Sequence, residues 1–383
     1  MRVLVSGAGI AGPVLAYWLT RHGVDVTVVE RAPTLRAHGG STVSLLPPAL
    51  DVSARMGVLA HIEALATTRP PDVGGANPVR RVDILRDDLS ATYHAAGGDD
   101  VDYVFGDSIT GIDADGEVTF EKIPARTFDV IVGADGLHST VRRLTFGAEA
   151  EVTRFLGGYV AVASMSKELA NPGEVVGHVD VGRRAAISTA DHLQDARAVF
   201  LFRAEQQLGD HHGDAARQRE MLREVFTGMH PQVDRWLSGI ENTPAWYFDT
   251  IGQLRLDRLS RRRVTLVGDA GYCAGPATGA STSLAVLGAY VLAGELAQSK
   301  GDHLRAFAAY ELAMREPVRL SRGLARNAAR SLIPSSRAAV WASTRGAELL
   351  SRLPAPLART TVTMSGGRVY DSMHVPDYPA IDD

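Results

Sequence analysis

Residues 3–31 read VLVSGAGIAGPVLAYWLTRHGVDVTVVER: three glycines stand between a short apolar run and a helical pattern, and a second apolar run closes on Glu30. Val3 to Ser6 is β-rich, and Val14, Leu15, Trp18 and Leu19 recur at helical spacing within Pro13 to Arg21. His22 and Gly23 end that helix and Val26 to Val29 forms a second buried strand, so the stretch predicts one βαβ unit. In that setting each glycine has its own task. Gly7 permits the tight turn, Gly9 lets the backbone approach a pyrophosphate, and Gly12 allows close helix–strand packing, with the phosphates at the helix N-terminus. Glu30, 18 residues after Gly12 and followed by Arg31, accepts from ribose hydroxyls and repels a 2′-phosphate, which favours FAD or NAD over NADP at this position. A glycine-rich packing turn is the alternative, and the surrounding strand, helix and acid disfavour it.

The rest of the composition narrows the class. A chain of 383 residues suggests two domains, or one carrying a large insertion. With 45% hydrophobic and 22% charged residues and a formal net charge of −4, neither disorder nor polybasic nucleic-acid binding is expected, so the partners are small molecules. The single cysteine, Cys273, leaves no internal disulfide and no multi-cysteine metal site, consistent with a reducing compartment. The chain opens on the strand-like MRVLV, which with the cysteine usage predicts a cytoplasmic protein. The most apolar long window, Leu284 to Ala297, contains Gly288, Gly294 and Glu295 and is too short to span a bilayer, so it reads as a buried helix.

Two more glycine–acid stretches lie far along the chain: FDVIVGADGLHSTVRR at 128–143 and RVTLVGDAGYCAGPATGASTSLAVLGAYVLAGEL at 263–296. Each reads as a buried strand that turns into a helix. That layout brings the carboxyl ends of distant strands to one crevice, where Asp135 and Asp269 accept from hydroxyls of a long cofactor. Helix capping is the alternative for Asp135, since Asp-Gly is a common turn pair. At the third stretch, Pro276 and Gly279 suit a backbone that approaches a flat ring at a helix start, whose unpaired N–H groups favour negative charge.

In this order and at these separations the three stretches resemble the FAD-dependent monooxygenases of the para-hydroxybenzoate hydroxylase type, the class A aromatic hydroxylases that include tetracycline-inactivating enzymes. The resemblance covers most of the chain and is weakest at 151–250 and after about 330. It implies an α/β fold: a Rossmann-like FAD-binding domain at 1–150 and 251–330, an inserted β-sheet substrate domain at 151–250, and a C-terminal helix and tail at 331–383. It further implies that the first motif holds the ADP half of FAD, that Gly133, Asp135 and Gly136 lie near the cofactor and assist NAD(P)H use, and that Gly268 and Asp269 reach the ribityl chain. ILRDDL matches the family's arginine pattern, which would place Arg86 on the FAD chain or pyrophosphate, a solvated helix-end charge being the alternative. The implied reaction uses NAD(P)H and O2 to oxygenate an aromatic or polyketide-like molecule, and needs no nucleophilic triad. Two departures keep a second reading open, a cyclase or metabolite-binding scaffold with structural or absent flavin. Ser281 stands where the family has a glycine, and Leu46 where many relatives carry an arginine.

Between the second and third motifs, GGYVAVASM (157–165), AAIST (185–189) and ARAVFLFRA (196–204) predict an antiparallel sheet on the substrate side. AARQREMLREVFTG (215–228) predicts an amphipathic helix with Met221, Leu222 and Val225 inward. By alternation, Tyr159, Ser164, His178, Ser188 and Phe202 are substrate-pocket candidates, as is Tyr272 in the third motif; ordinary packing is the alternative for each. After the third motif, residues 303–330 show a helical pattern broken at Pro317, residues 335–353 a second helix, and VPDYPAIDD a loose tail.

Overall fold

The structure is a computed structural model and describes residues 1–35, 42–67, 80–208, 214–243, 245–275, 280–351 and 373–378. Its first unit is the predicted one: β1 (Arg2–Ser6), α1 (Ala11–Arg21) and β2 (Asp25–Glu30), with Arg2 opposite Asp25 through Ser6 opposite Val29 in a parallel pair. Val14, Leu15 and Leu19 are buried on α1. The helix packs so tightly that a Cβ on Gly12 would sit 1.9 Å from the Gly7 carbonyl oxygen.

The chain then forms β3 (Thr42–Leu45), α2 (Pro47–Arg55), α3 (Leu59–Ala64), β4 (Val82–Leu85) and α4 (Arg86–Gly97), with β3 and β4 antiparallel. Next, β5 (Asp102–Phe105) adds to β2. A small antiparallel sheet follows, of β6 (Ile109–Ile112), β7 (Glu117–Phe120) and β8 (Arg126–Thr127). The second glycine–acid stretch is β9 (Val130–Gly133), parallel to β1 on its free side, leading to α5 (Thr140–Phe146) and α6 (Glu149–Val152).

A five-stranded antiparallel sheet comes next. It holds β10 (Thr153–Met165), β11 (Val175–Asp180), β12 (Arg183–Ser188), β13 (Ala196–Arg203) and, after α7 (Ala215–Phe226) and α8 (Pro231–Gly239), β14 (Trp246–Leu254). Its order is β11-β12-β13-β10-β14. The chain returns through β15 (Ser260–Arg261) and β16 (Val264–Leu266), completing a sheet of order β15-β16-β9-β1-β2-β5. Four helices close the fold: α9 (Asp269–Tyr272), α10 (Ser281–Gln298), α11 (His303–Leu332) and α12 (Arg337–Ser351).

One large core joins α1, α2 and α10 to the parallel sheet, and a second lies between the five-stranded sheet and α7 and α8. Helix α10 is buried on nearly all sides, the arrangement expected of an apolar helix in a core. Among the described residues no helix is long and apolar enough to cross a membrane.

Two expectations need correction. Pro317 does not break the helix: α11 runs unbroken past it, because Met314 and Val318 on either side are held in the core and offset the lost backbone hydrogen bond. Nor is the described part of the tail loose. Tyr378 donates to Glu295 at 2.9 Å, and the Pro376 carbonyl accepts from Tyr290 (2.9 Å) and Arg55 (3.0 Å). Residues 379–383 lie outside the described residues.

Candidate active site

The three glycine–acid turns converge at the carboxyl ends of the parallel strands. Gly7 takes φ +106°, and a Cβ there would stand 2.7 Å from the Ala134 carbonyl oxygen, so the first turn rests directly on the second. Gly268, at φ +67°, presses the third turn against Ala11, whose Cβ would be 3.2 Å from one on Gly268. Left-handed backbone and close approach together demand glycine at both places.

Glu30 closes β2 and locks the first turn: one carboxylate oxygen accepts from the Ala8 amide and the other from the Ala32 amide, each at 2.9 Å. Ser90 of α4 donates to the Ala8 and Gly9 carbonyls at 3.1 and 2.8 Å. Arg86 stands at the start of the same helix, with no hydrogen bond or ion pair among the described residues, and Arg31 is exposed.

In the second turn, Asp135 caps α5. Its oxygens accept from the Ser139 hydroxyl (2.5 Å) and from the amides of Thr140 (2.8 Å) and Val141 (3.1 Å). Burial raises its pKa and these bonds oppose the rise. Gly136 beside it faces open space. The buried Arg142 ties this turn to the third: it donates to the Leu137 carbonyl at 2.5 Å, the Ala270 carbonyl at 3.1 Å and Glu149 at 3.2 Å.

In the third turn, burial raises the Asp269 carboxyl, the charge of Arg86 opposes the rise, and the Cys273 thiol is its hydrogen-bond partner. Asp269 remains partly exposed, so it sits in a recess. Pro276 and Gly279 lie outside the described residues. Ser281 opens α10 without a positive φ, so its backbone conformation does not require glycine, and its Oγ is inaccessible with no partner among the described residues. Leu46 is a core residue whose amide is received by Ser283 at 3.0 Å. Tyr272 is not a pocket residue: its ring is buried, and its hydroxyl contacts the Leu284 carbonyl and Tyr310, each at 3.3 Å.

Register separates the faces of the five-stranded sheet, since directly opposed residues share a face. Tyr159, Phe202 and His178 all point toward α7 and α8. Tyr159 stacks on Phe202 at 5.1 Å, and His178 stacks on His230 and bonds Gln232. These three candidates therefore sit on the helix-covered side. Ser164 and Ser188 sit on the other side with Arg197, which is opposite both.

That other face meets the nucleotide turns. One row runs Asp249, Val160, Leu201, Arg184 across four strands, and the next Tyr247, Val162, Val199, Ala186. Leu332 and Ile333, at the end of α11, pack on its apolar middle. Strand β14, which supplies Tyr247 and Asp249, lies outside the three predicted runs, because the apolar residues of WYFDTIGQL do not alternate and the strand is buried on both faces over most of its length. Asp249 is buried, and one of its oxygens lies 3.0 Å from His138 Nε2 and accepts from Tyr247 at 3.2 Å. His138 Nδ1 is 2.9 Å from Glu149. These hydrogen bonds, first Asp249 and then Glu149, push the imidazole up to about 10. Burial alone would raise Asp249, but His138 holds its carboxyl below the usual range. Among the described residues no group of side chains could hold a metal ion.

A glycine-lined turn against the carboxylate that closes the second strand, joined by two distant turns at one crevice, is the arrangement of a dinucleotide cradle. Residues 1–95 match the FAD binding domain family. A flavin-dependent monooxygenase from an unknown prokaryotic organism is 33% identical over 339 residues, which cover 81% of this chain and 84% of that protein. The uncharacterised protein Rv1260 of Mycobacterium tuberculosis is 38% identical over 334 residues, covering 80% of this chain and 88% of that one. The crystal structure of tetracycline destructase Tet(51) superposes with a TM-score of 0.83 at 30% identity, over 99% of each chain. The chain belongs to the flavin-dependent monooxygenases and is an FAD oxidoreductase of the class A flavoprotein hydroxylase fold. Its residues fit that cofactor: Gly7 and Gly268 leave no room for a side chain at two turns, and the charge of Arg86 acts on the partly exposed Asp269 in the recess.

Proposed function

We propose that the protein uses NAD(P)H and O2 to hydroxylate a polycyclic aromatic or polyketide-like molecule of secondary metabolism. The observation that carries this reading is the recess at the third turn, where the partly exposed Asp269 lies within electrostatic reach of the exposed Tyr247 on the inner face of the five-stranded sheet. On the same face Arg184 has no ion pair among the described residues, its Nε is buried without a partner, and burial lowers its pKa, so an acidic hydroxyl or carboxylate is the group it would receive. The likeness to a tetracycline destructase supports the same substrate class.

Bound in the cradle, FAD supplies the redox chemistry that joins NAD(P)H, O2 and the substrate. The protein supplies position and charge. Glu30 takes the ribose hydroxyls on lone pairs left free by the Ala8 and Ala32 amides. Gly7 and Gly9 keep side chains off the pyrophosphate, Arg86 neutralises it, and Gly268 sets Asp269 to accept from the ribityl chain. The α10 N-terminus, with Ser281 in its first turn, stabilises negative charge on the ring. Asp135 acts indirectly, by holding the start of α5.

The test is aerobic turnover of the flavin-loaded protein with NADPH and tetracycline or other polycyclic phenols. The expected result is substrate-stimulated NADPH oxidation with a product heavier by one oxygen atom. Conversion that persists without NADPH or O2 would instead mark a cyclase-type enzyme.

A further inference from the structure

Tyr247 and Asp249 stand two residues apart on β14 and face the same side. The Asp249 oxygens are fully engaged: one accepts from the Thr250 amide at 2.7 Å, the other from Tyr247 and His138. His138 is held between two carboxylates, with Glu149 on its far nitrogen and the buried Arg142 beyond. An imidazole whose two nitrogens both meet carboxylates donates from both, so it is the imidazolium ion. Asp249 beside it is then a carboxylate, which can only accept. The single proton between Tyr247 and Asp249 therefore belongs to the phenol, and it points at Asp249.

Tyr247 is thus fixed in one orientation. Its hydrogen is committed to Asp249, which leaves the lone pairs of its oxygen as acceptors. The residue is 41% exposed, and its hydroxyl lies within the electrostatic reach of Asp269 and Arg86, the residues assigned above to FAD.

We propose that Tyr247 touches the substrate and accepts a hydrogen bond from a phenolic or enolic hydroxyl, with Asp249 and His138 as the positioning residues that set its direction. The proposal rests on the monooxygenase reading of this recess and adds its selectivity: a ring hydroxyl is recognised, and the corresponding ether is not. A phenol pinned in this way offers an ether no donor, whereas an unpinned one could rotate and serve either.

The test uses FAD-loaded protein without NADPH, titrated with 2-naphthol and with 2-methoxynaphthalene while the visible band of bound FAD is followed. The native protein is expected to bind the phenol about tenfold more tightly than the ether, the size of one good hydrogen bond. Tyr247→Phe should bring that ratio close to one with FAD content and ether affinity unchanged. Asp249→Asn should lower the ratio, because the amide can turn its N–H toward the tyrosine oxygen and free the phenol hydrogen, an effect that a purely structural role would not produce. A preference that survives Tyr247→Phe overturns the proposal, as does native flavin-loaded protein that binds no 2-naphthol. A protein that takes up no FAD overturns the monooxygenase reading itself, and flavin content measured on the same samples tells the two failures apart.

Discussion

Arg86 lies over Gly9 so closely that a Cβ on the glycine would stand 3.4 Å from the guanidinium Nη2. The glycine loop and the arginine thus face each other across the space assigned to the cofactor chain. Because that neighbour is the end of a flexible side chain, Gly9→Ala should fold with nearly native thermal stability and yet bind FAD about tenfold more weakly. Gly7→Ala, by contrast, meets the fixed Ala134 carbonyl at 2.7 Å in a left-handed backbone, and should lower the melting temperature sharply. Thermal denaturation alongside flavin titration checks both, and equal behaviour of the two variants would contradict the account.

Glu30→Gln tests the acid at the end of β2. A glutamine keeps one acceptor but turns an amide donor toward either the Ala8 or the Ala32 N–H, both of which the carboxylate now receives at 2.9 Å. FAD affinity should fall tenfold or more, read by quenching of flavin fluorescence.

His138 makes stability pH-dependent in a definite direction. Its pKa rises from 6.5 to about 10 on folding. The stabilisation is therefore fully present below about 6.5, and is lost as pH rises through 10. Melting temperature should decline across that window in the native protein. In His138→Gln the decline should flatten, and the variant should melt lower than native at pH 7. The side chain is 46% exposed, which screens the effect and keeps it modest.

Asp135→Ala removes three hydrogen bonds from the start of α5 and should cost about 1–3 kcal/mol of stability. Urea unfolding gives the loss directly. A variant of unchanged stability with a selectively raised KM for NADPH would show that the carboxylate serves the nicotinamide rather than the helix.

His178→Ala should leave FAD content and turnover untouched, because the ring lies against His230 and Gln232 on the side of the sheet away from the recess. A tenfold fall in turnover at full flavin occupancy would return it to the substrate site.

The nucleotide cradle was legible because each of its parts is local: a strand, a turn that needs glycine and a helix lie within a few residues of one another, three times over. The substrate wall was legible in kind only. Alternation along β10 and β13 shows two faces, but both are apolar, since α7 and α8 cover one and the end of α11 covers part of the other. Nothing in the period says which faces the cofactor, so Tyr159, His178 and Phe202 were expected on the wrong side. The His138–Asp249 contact joins residues 111 positions apart, and no local pattern announces it. Pro317 and the docked tail show the same limit, because tertiary packing decides both.

The most direct test of the central claim is the visible spectrum of the purified protein after incubation with FAD and gel filtration, followed by NADPH in air. The account predicts a yellow protein with stoichiometric flavin that bleaches on NADPH addition and regains colour as O2 is consumed. A folded protein that emerges colourless would contradict it.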